Sequence, residues 1–196
     1  MYTTQKNSAG IAMLVAITVV LQLLSSFLFP VLQFSLSLVM IPIVIAAVYF
    51  GKKGGMIVGT SFGITVLIQC ILGLDKSGSI LFNINPYFTF LATVFRGLLV
   101  GLIAACVFTL FMKLTRHFIA ATAVTAAVAV ISNTGIFLLL FTTLFNETLY
   151  TWAGNETALH FIVFSLVGLN FIIEFSSAVL LTPPVAKALS YVKKQK

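Results

Sequence analysis

The chain has 196 residues, 60% of them hydrophobic and 8% charged, with a formal net charge of +7. A mean hydropathy of +1.16 excludes a water-soluble domain, which needs far more surface charge. The positive balance suits membrane anchoring, and the basic tail "KALSYVKKQK" is read as such an anchor rather than a nucleic-acid site.

A spanning helix needs about 20 apolar residues at about 1.5 Å of rise each. Six segments approach this, roughly 10–29, 36–50, 56–74, 88–112, 118–144 and 160–190. The expectation is an all-α bundle of six transmembrane helices, a single domain over residues 1–196 with no room for a soluble module. Pro42 is a candidate kink in the short second segment. With the N-terminus in the cytoplasm, Lys6, Lys52, Lys53, Lys113, Arg116, Lys187, Lys193, Lys194 and Lys196 all share that side, nine of the eleven basic residues. Lys76 lies outside and Arg96 within the membrane, so the positive-inside rule predicts N-in, C-in. The first segment is too long for the apolar stretch of a signal peptide and no cleavage pattern comes after it, so it is expected to be retained.

The predicted cytoplasmic loops are short, "GKKGG" and "KLTRH". The predicted external ones are longer and rich in aromatics and amides: 29–35, 74–88 and 146–159. Such loops can fold over a pocket. Trp152, the single tryptophan, suits either a lid or an interfacial anchor, whereas Tyr87 and Tyr150 suit the anchor. Catalysis is not expected. There is no GxxxxGK[ST], HExxH, CxxC or GxSxG. His117 and His160 fall on opposite sides, and the acids are only Asp75, Glu147, Glu156 and Glu174, so no metal or cofactor site is expected. Cys70 and Cys106 lie within helices and suggest no disulfide.

Arg96 stands in the apolar run "FLATVFRGLLVGL". An ionisable residue there costs at least about 2.5–3.5 kcal/mol and turns to the bundle interior or a wet cavity. Counting from the predicted outer ends, Arg96, Asn133 and Asn170 lie roughly 12, 16 and 15 Å deep, in one layer on three successive helices. Glu174 is one turn beyond Asn170, and Ser177 continues that stripe. Thr89 and Thr93 extend the polar side of Arg96, while Gln69, Asn83 and Asn85 complete a rim. Two readings compete. In one, Arg96 and Glu174 form an ion pair that locks two helices. In the other, the layer is a pocket whose guanidinium takes a carboxylate or phosphate through two parallel hydrogen bonds, with the asparagines reading hydroxyls or amides. The expected pocket is poor in aromatics, which counts against a large flat ring.

The stretches "FSLSLVMIPIVIAAVYFGKKGGMIVGTSFGI" (34–64), "INPYFTFLATVFRGLLVGLIA" (84–104), "ISNTGIFLL" (131–139) and "AMLVA" (12–16) carry a resemblance over nearly the whole chain. The sequence resembles the substrate-binding S components of bacterial energy-coupling factor (ECF) vitamin transporters, and is most similar to their pantothenate branch. The resemblance implies a high-affinity vitamin-binding subunit in the bacterial plasma membrane, which binds outside and releases inside. It implies docking through Ala12 and Ala16 on a transmembrane coupling subunit held by two ATPases. It leaves open folate, a hydroxymethylpyrimidine, riboflavin or a pyridoxal-type vitamer. A self-sufficient secondary transporter is the main alternative, although no inverted repeat is visible. A membrane enzyme lacks acids and histidines, and a ligand-free structural subunit would make the Arg96 layer a lock alone.

Overall fold

The computed structural model describes residues 2–32, 38–154, 156–162 and 168–194, and these are helical with short connections. The elements in chain order are α1 (Tyr2–Leu32), α2 (Met40–Ile71), α3 (Lys76–Ile84), α4 (Pro86–Phe90), a π-helical turn (Leu91–Phe95), α5 (Arg96–Thr115), α6 (Phe118–Leu144), α7 (Asn146–Ala153), α8 (Ala158–His160) and α9 (Gly168–Lys194).

Among the described residues, five helical stretches are long and apolar enough to cross a membrane: Asn7–Ser26, Met40–Ile71 taken through its break at Gly51, Pro86–Thr115, Phe118–Leu144 and Asn170–Tyr191. The expected count is six. The difference lies in α2, which joins the second and third predicted segments through one non-helical residue, Gly51 (φ 63°, ψ −153°). The chain reverses there. A Cβ at Gly55 would sit 3.3 Å from the Ala47 Cβ, whereas eight residues along a straight helix span about 12 Å. Only glycine reaches that backbone conformation without strain. The arm before the reversal, residues 40–50, is about 16 Å of helix, short of the roughly 30 Å hydrocarbon core. Pro42 does not kink it. It sits in the first turn of α2, where its missing N–H costs nothing.

The three predicted external loops are also partly helical, the first because α1 runs on to Leu32. Residues 74–88 hold α3 and most of α4, and 146–159 hold α7 and the start of α8. Short polar caps explain why. Asp75 accepts from the Gly78 N–H at 3.0 Å, and Asn85 Oδ1 accepts from the N–H groups of Tyr87 and Phe88 at 3.0 and 3.2 Å, with Pro86 at the first position of α4. The part of the first predicted loop at 33–35, and the part of the sixth segment at 163–167, lie outside the described residues.

The packing order is set by small residues. A methyl added at Gly55 would strike the Gly101 carbonyl, one at Gly59 the Gly97 carbonyl, and one at Gly63 the Val94 Cα at 2.6 Å. The second arm of α2 therefore lies backbone to backbone on α5, running antiparallel. Close approach of this kind is what holds helices together where lipid removes the hydrophobic drive. Gly10 abuts the Phe50 ring, Gln22 donates to Gln69 at 3.0 Å, and the Tyr49 hydroxyl donates to the Ala186 carbonyl. These contacts bring the start of α1, the Gly51 reversal with Lys52 and Lys53, the α5–α6 turn with Lys113 and Arg116, and the end of α9 to one basic end of the bundle. The buried hydroxyls of Thr18, Thr122 and Thr125 spend their protons on the carbonyls of Leu14, Phe118 and Ala121, four residues back, at 2.7, 2.8 and 2.7 Å.

Candidate functional site

Arg96 opens α5 directly after the π-helical turn. Its own N–H reaches back five residues to the Leu91 carbonyl. A π-turn carries one extra residue and rotates the next stretch of helix about its axis, and such turns recur at functional sites. Thr89 and Thr93 are both buried, Thr89 donating to Asn85 O at 3.0 Å and Thr93 to Thr89 O at 2.8 Å.

The guanidinium carbon of Arg96 lies 5.2 Å from the Phe137 ring centroid and 5.7 Å from that of Phe62. Cation–π contacts of this kind are worth about 2 kcal/mol or more when desolvated. The glycine seam explains Phe62. Gly59 on Gly97 brings α2 so close to α5 that the next turn of α2 faces Arg96. Phe137 arrives from α6. It stacks on Phe141 at 5.7 Å, which in turn contacts Trp152 of α7 at 5.6 Å and Phe145 at 6.2 Å. Phe88 of α4 meets Phe145 edge-on at 5.9 Å. An aromatic column thus runs from the short helices α4 and α7 down to the arginine. The expectation of few aromatics does not hold beside Arg96: Phe62 and Phe137 come from helix interiors, where packing brings them to the guanidinium.

The expected Arg96–Glu174 lock is not closed. Among the described residues no carboxylate oxygen lies within 4.0 Å of Arg96; the pair His160–Glu156, at 3.0 Å, is elsewhere. Glu174 is near enough to act on Arg96 through space. It lies on the stripe of α9 with Phe171, Phe175 and Ala178, which packs against the core. Asn170, one turn away on the same helix, is half-buried. Asn133 is 8% exposed and stands one turn from Phe137 on α6.

Buried polar atoms in native structures nearly always have hydrogen-bond partners. Among the described residues three buried side-chain atoms lack one within the protein: Arg96 Nε, Asn133 Oδ1 and Thr182 Oγ1. Two of the three belong to the layer foreseen from the sequence, one donor and one acceptor. Three other predicted residues, Gln69, Asn85 and Trp152, have local partners. Gln69 is 1% exposed and ties α2 to α1, accepting from Gln22 Nε2 at 3.0 Å and donating to the Gln22 carbonyl at 3.4 Å. Asn85 caps α4. Trp152 leans on Phe141. A separate groove of about 360 Å³ between α1 and α2 is lined mainly by apolar side chains, among them Val19, Leu23, Ile64 and Ile68, with Ser61, Thr65 and Gln69 as its polar members. Ala12 and Ala16 are both exposed on α1, beside exposed Met13, Ile17 and Val20.

Sequence reasoning missed Phe62, Phe137 and the glycine seam. A signal for the seam was present: glycines four apart at 55, 59 and 63, and again at 97 and 101. No comparable spacing marks the two rings. Among the described residues there is no cluster of His, Cys, Asp and Glu able to hold a metal. No curated protein and no solved structure matches the chain. The family described as "ECF transporter, substrate-specific component" matches residues 6–186. That match covers most of the sequence, and with the membrane-length helices it establishes a multi-pass membrane protein that serves transport rather than catalysis. The chain belongs to the substrate-specific components of ECF transporters.

Proposed function

We propose that this subunit binds a carboxylate-bearing, water-soluble vitamin, pantothenate first among them, in the layer of Arg96, Asn133, Asn170 and Glu174. The observation that carries the reading is the pair of orphaned atoms: a buried guanidinium Nε and a buried amide oxygen, both without partners in the protein. A ligand with a forked anion and a hydroxyl or amide N–H satisfies both. Pantothenate has all three groups. The end of the bundle rich in lysine and arginine faces the cytoplasm. The site then opens outward beneath α4 and α7, with Trp152 and the aromatic column as its cover. Ala12 and Ala16, exposed and small, admit a helix of the coupling subunit. Two ATPases on that subunit drive release into the bacterial cell.

One observation favours a second substrate. Phe62, Phe137, Phe141 and Trp152 supply ring faces close to Arg96, and these suit a planar vitamer such as folate, a hydroxymethylpyrimidine, riboflavin or a pyridoxal-type compound. Mass spectrometry of small molecules released from the detergent-purified protein separates the two. Pantothenate released from wild type and absent from Arg96→Ala supports the first reading; a ring-bearing vitamin establishes the second. Uptake in cells lacking the coupling ATPases would instead make the chain a secondary transporter.

A further inference from the structure

In a membrane helix the expected counter-group for an arginine is a carboxylate. Arg96 has Glu174 nearby and yet holds no carboxylate oxygen within 4.0 Å. Its close neighbours are two ring faces, on α2 and α6. A ring face attracts the cation but takes up none of its N–H donors. A carboxylate would occupy the donor fork outright.

We infer that Phe62 and Phe137 are positioning residues: they hold the Arg96 guanidinium by its faces, away from Glu174, so that its Nε edge stays available to the anion of the substrate. The inference rests on Arg96 as the ligand's anchor and adds what keeps that anchor open. The orphaned Nε marks the uncommitted edge. Asn133, nine-tenths buried with its Oδ1 unpartnered and one turn from Phe137, gives the same site an acceptor for a donor on the same ligand. Without a ring at 137 the guanidinium is free to swing onto Glu174, and the protein becomes its own competitor for the anion.

The test is a double-mutant cycle on the full-length protein in detergent, read by calorimetry with pantothenate. Phe137→Leu is expected to weaken binding about tenfold or more. Phe137→Tyr, which keeps the ring face, is expected to retain affinity. In the Glu174→Gln background the cost of Phe137→Leu is expected to shrink to about threefold or less, because the internal competitor has been removed. A ring needed only for packing would cost the same in both backgrounds, and that result overturns the inference. A second measurement needs no ligand. The chain has two arginines, Arg96 and Arg116, so ¹⁵N-arginine labelling yields two Nε–H resonances, assigned with Arg116→Lys. The Arg96 signal should be displaced by the ring currents, lose that displacement in Phe137→Leu, and move again when Glu174→Gln is added. A wild-type Arg96 signal coincident with that of Arg116 and insensitive to Phe137→Leu overturns the positioning role. A displaced signal in a protein that binds no pantothenate defeats the pantothenate reading and leaves the positioning role standing.

Discussion

Two pairs of polar side chains inside this bundle, Gln22 with Gln69 and Arg96 with Asn133, are treated in opposite ways. Gln22 and Gln69 close on each other across α1 and α2, amide to amide and amide to backbone. Arg96 and Asn133 each leave a buried atom without a partner in the protein. Both arrangements tolerate polar groups among apolar helices, but only the first is complete. A closed pair fastens two helices, whereas an open layer costs stability unless something else fills it. The contrast separates interhelical glue from a binding site more sharply than residue type does, since glutamine and asparagine carry the same functional group.

The largest effect should come from the scaffold that both sets share. Gly97→Leu places a side chain against the Gly59 backbone, where no flexible group can give way. Overpacking of this kind typically costs about 1–3 kcal/mol, and against backbone on both sides a value beyond about 3 kcal/mol is expected. Size-exclusion chromatography should show loss of the monodisperse species. A normal profile would mean that α2 and α5 can separate, and the placement of Phe62 beside Arg96 would lose its basis.

The open layer should respond in the opposite sense for affinity and stability. Arg96→Ala is expected to weaken ligand binding about 100-fold or more, the loss of two charge-assisted hydrogen bonds. The apparent Tm without ligand should hold or rise, because an unneutralised cation is removed from the membrane interior. Asn133→Leu should act likewise on a smaller scale, with affinity down about tenfold and Tm unchanged or higher, since it deletes an unsatisfied buried amide. A fall in Tm for both variants, with affinity intact, would show that the layer is structural.

How far these regions were legible in advance depends on what selects each residue. Arg96 stood out because a lone charge in an apolar run needs a reason, and Asn133 because its depth could be counted from a helix end. The apolar segments and the turn between the second and third were readable from hydropathy and glycine content, but the lengths of the helices were not. The reversal at Gly51 falls where the predicted loop "GKKGG" begins; what hydropathy does not register is that one residue makes the turn, with helix on both sides of it. Phe62 and Phe137 were not legible. The chain has 19 phenylalanines, and only the register of α2 and α6 on α5 picks two of them. The π-turn before Arg96 lets the Arg96 N–H reach five residues back to Leu91, and the sequence "LATVF" carries no mark of it. Gln69 and Asn85 have the residue type of a binding rim and the partners of a helix tie and a helix cap.

Gln69 gives the mildest and most discriminating test of the comparison. Gln69→Leu leaves the Gln22 amide facing an apolar wall, so the cost is that of one interhelical hydrogen bond plus a stranded group. In membrane helices such bonds average about 0.6 kcal/mol and reach about 1.7 kcal/mol, so a small drop in Tm is expected. Replacing both, Gln22→Leu with Gln69→Leu, removes the stranded group as well, and the double variant should recover most of the loss. The same logic applied to the open layer gives no recovery of affinity, because the missing partner there is the ligand rather than another side chain. Should Gln69→Leu instead leave Tm untouched and reduce ligand affinity, the amide belongs to the rim of the site, and its bond to Gln22 is one that the ligand displaces.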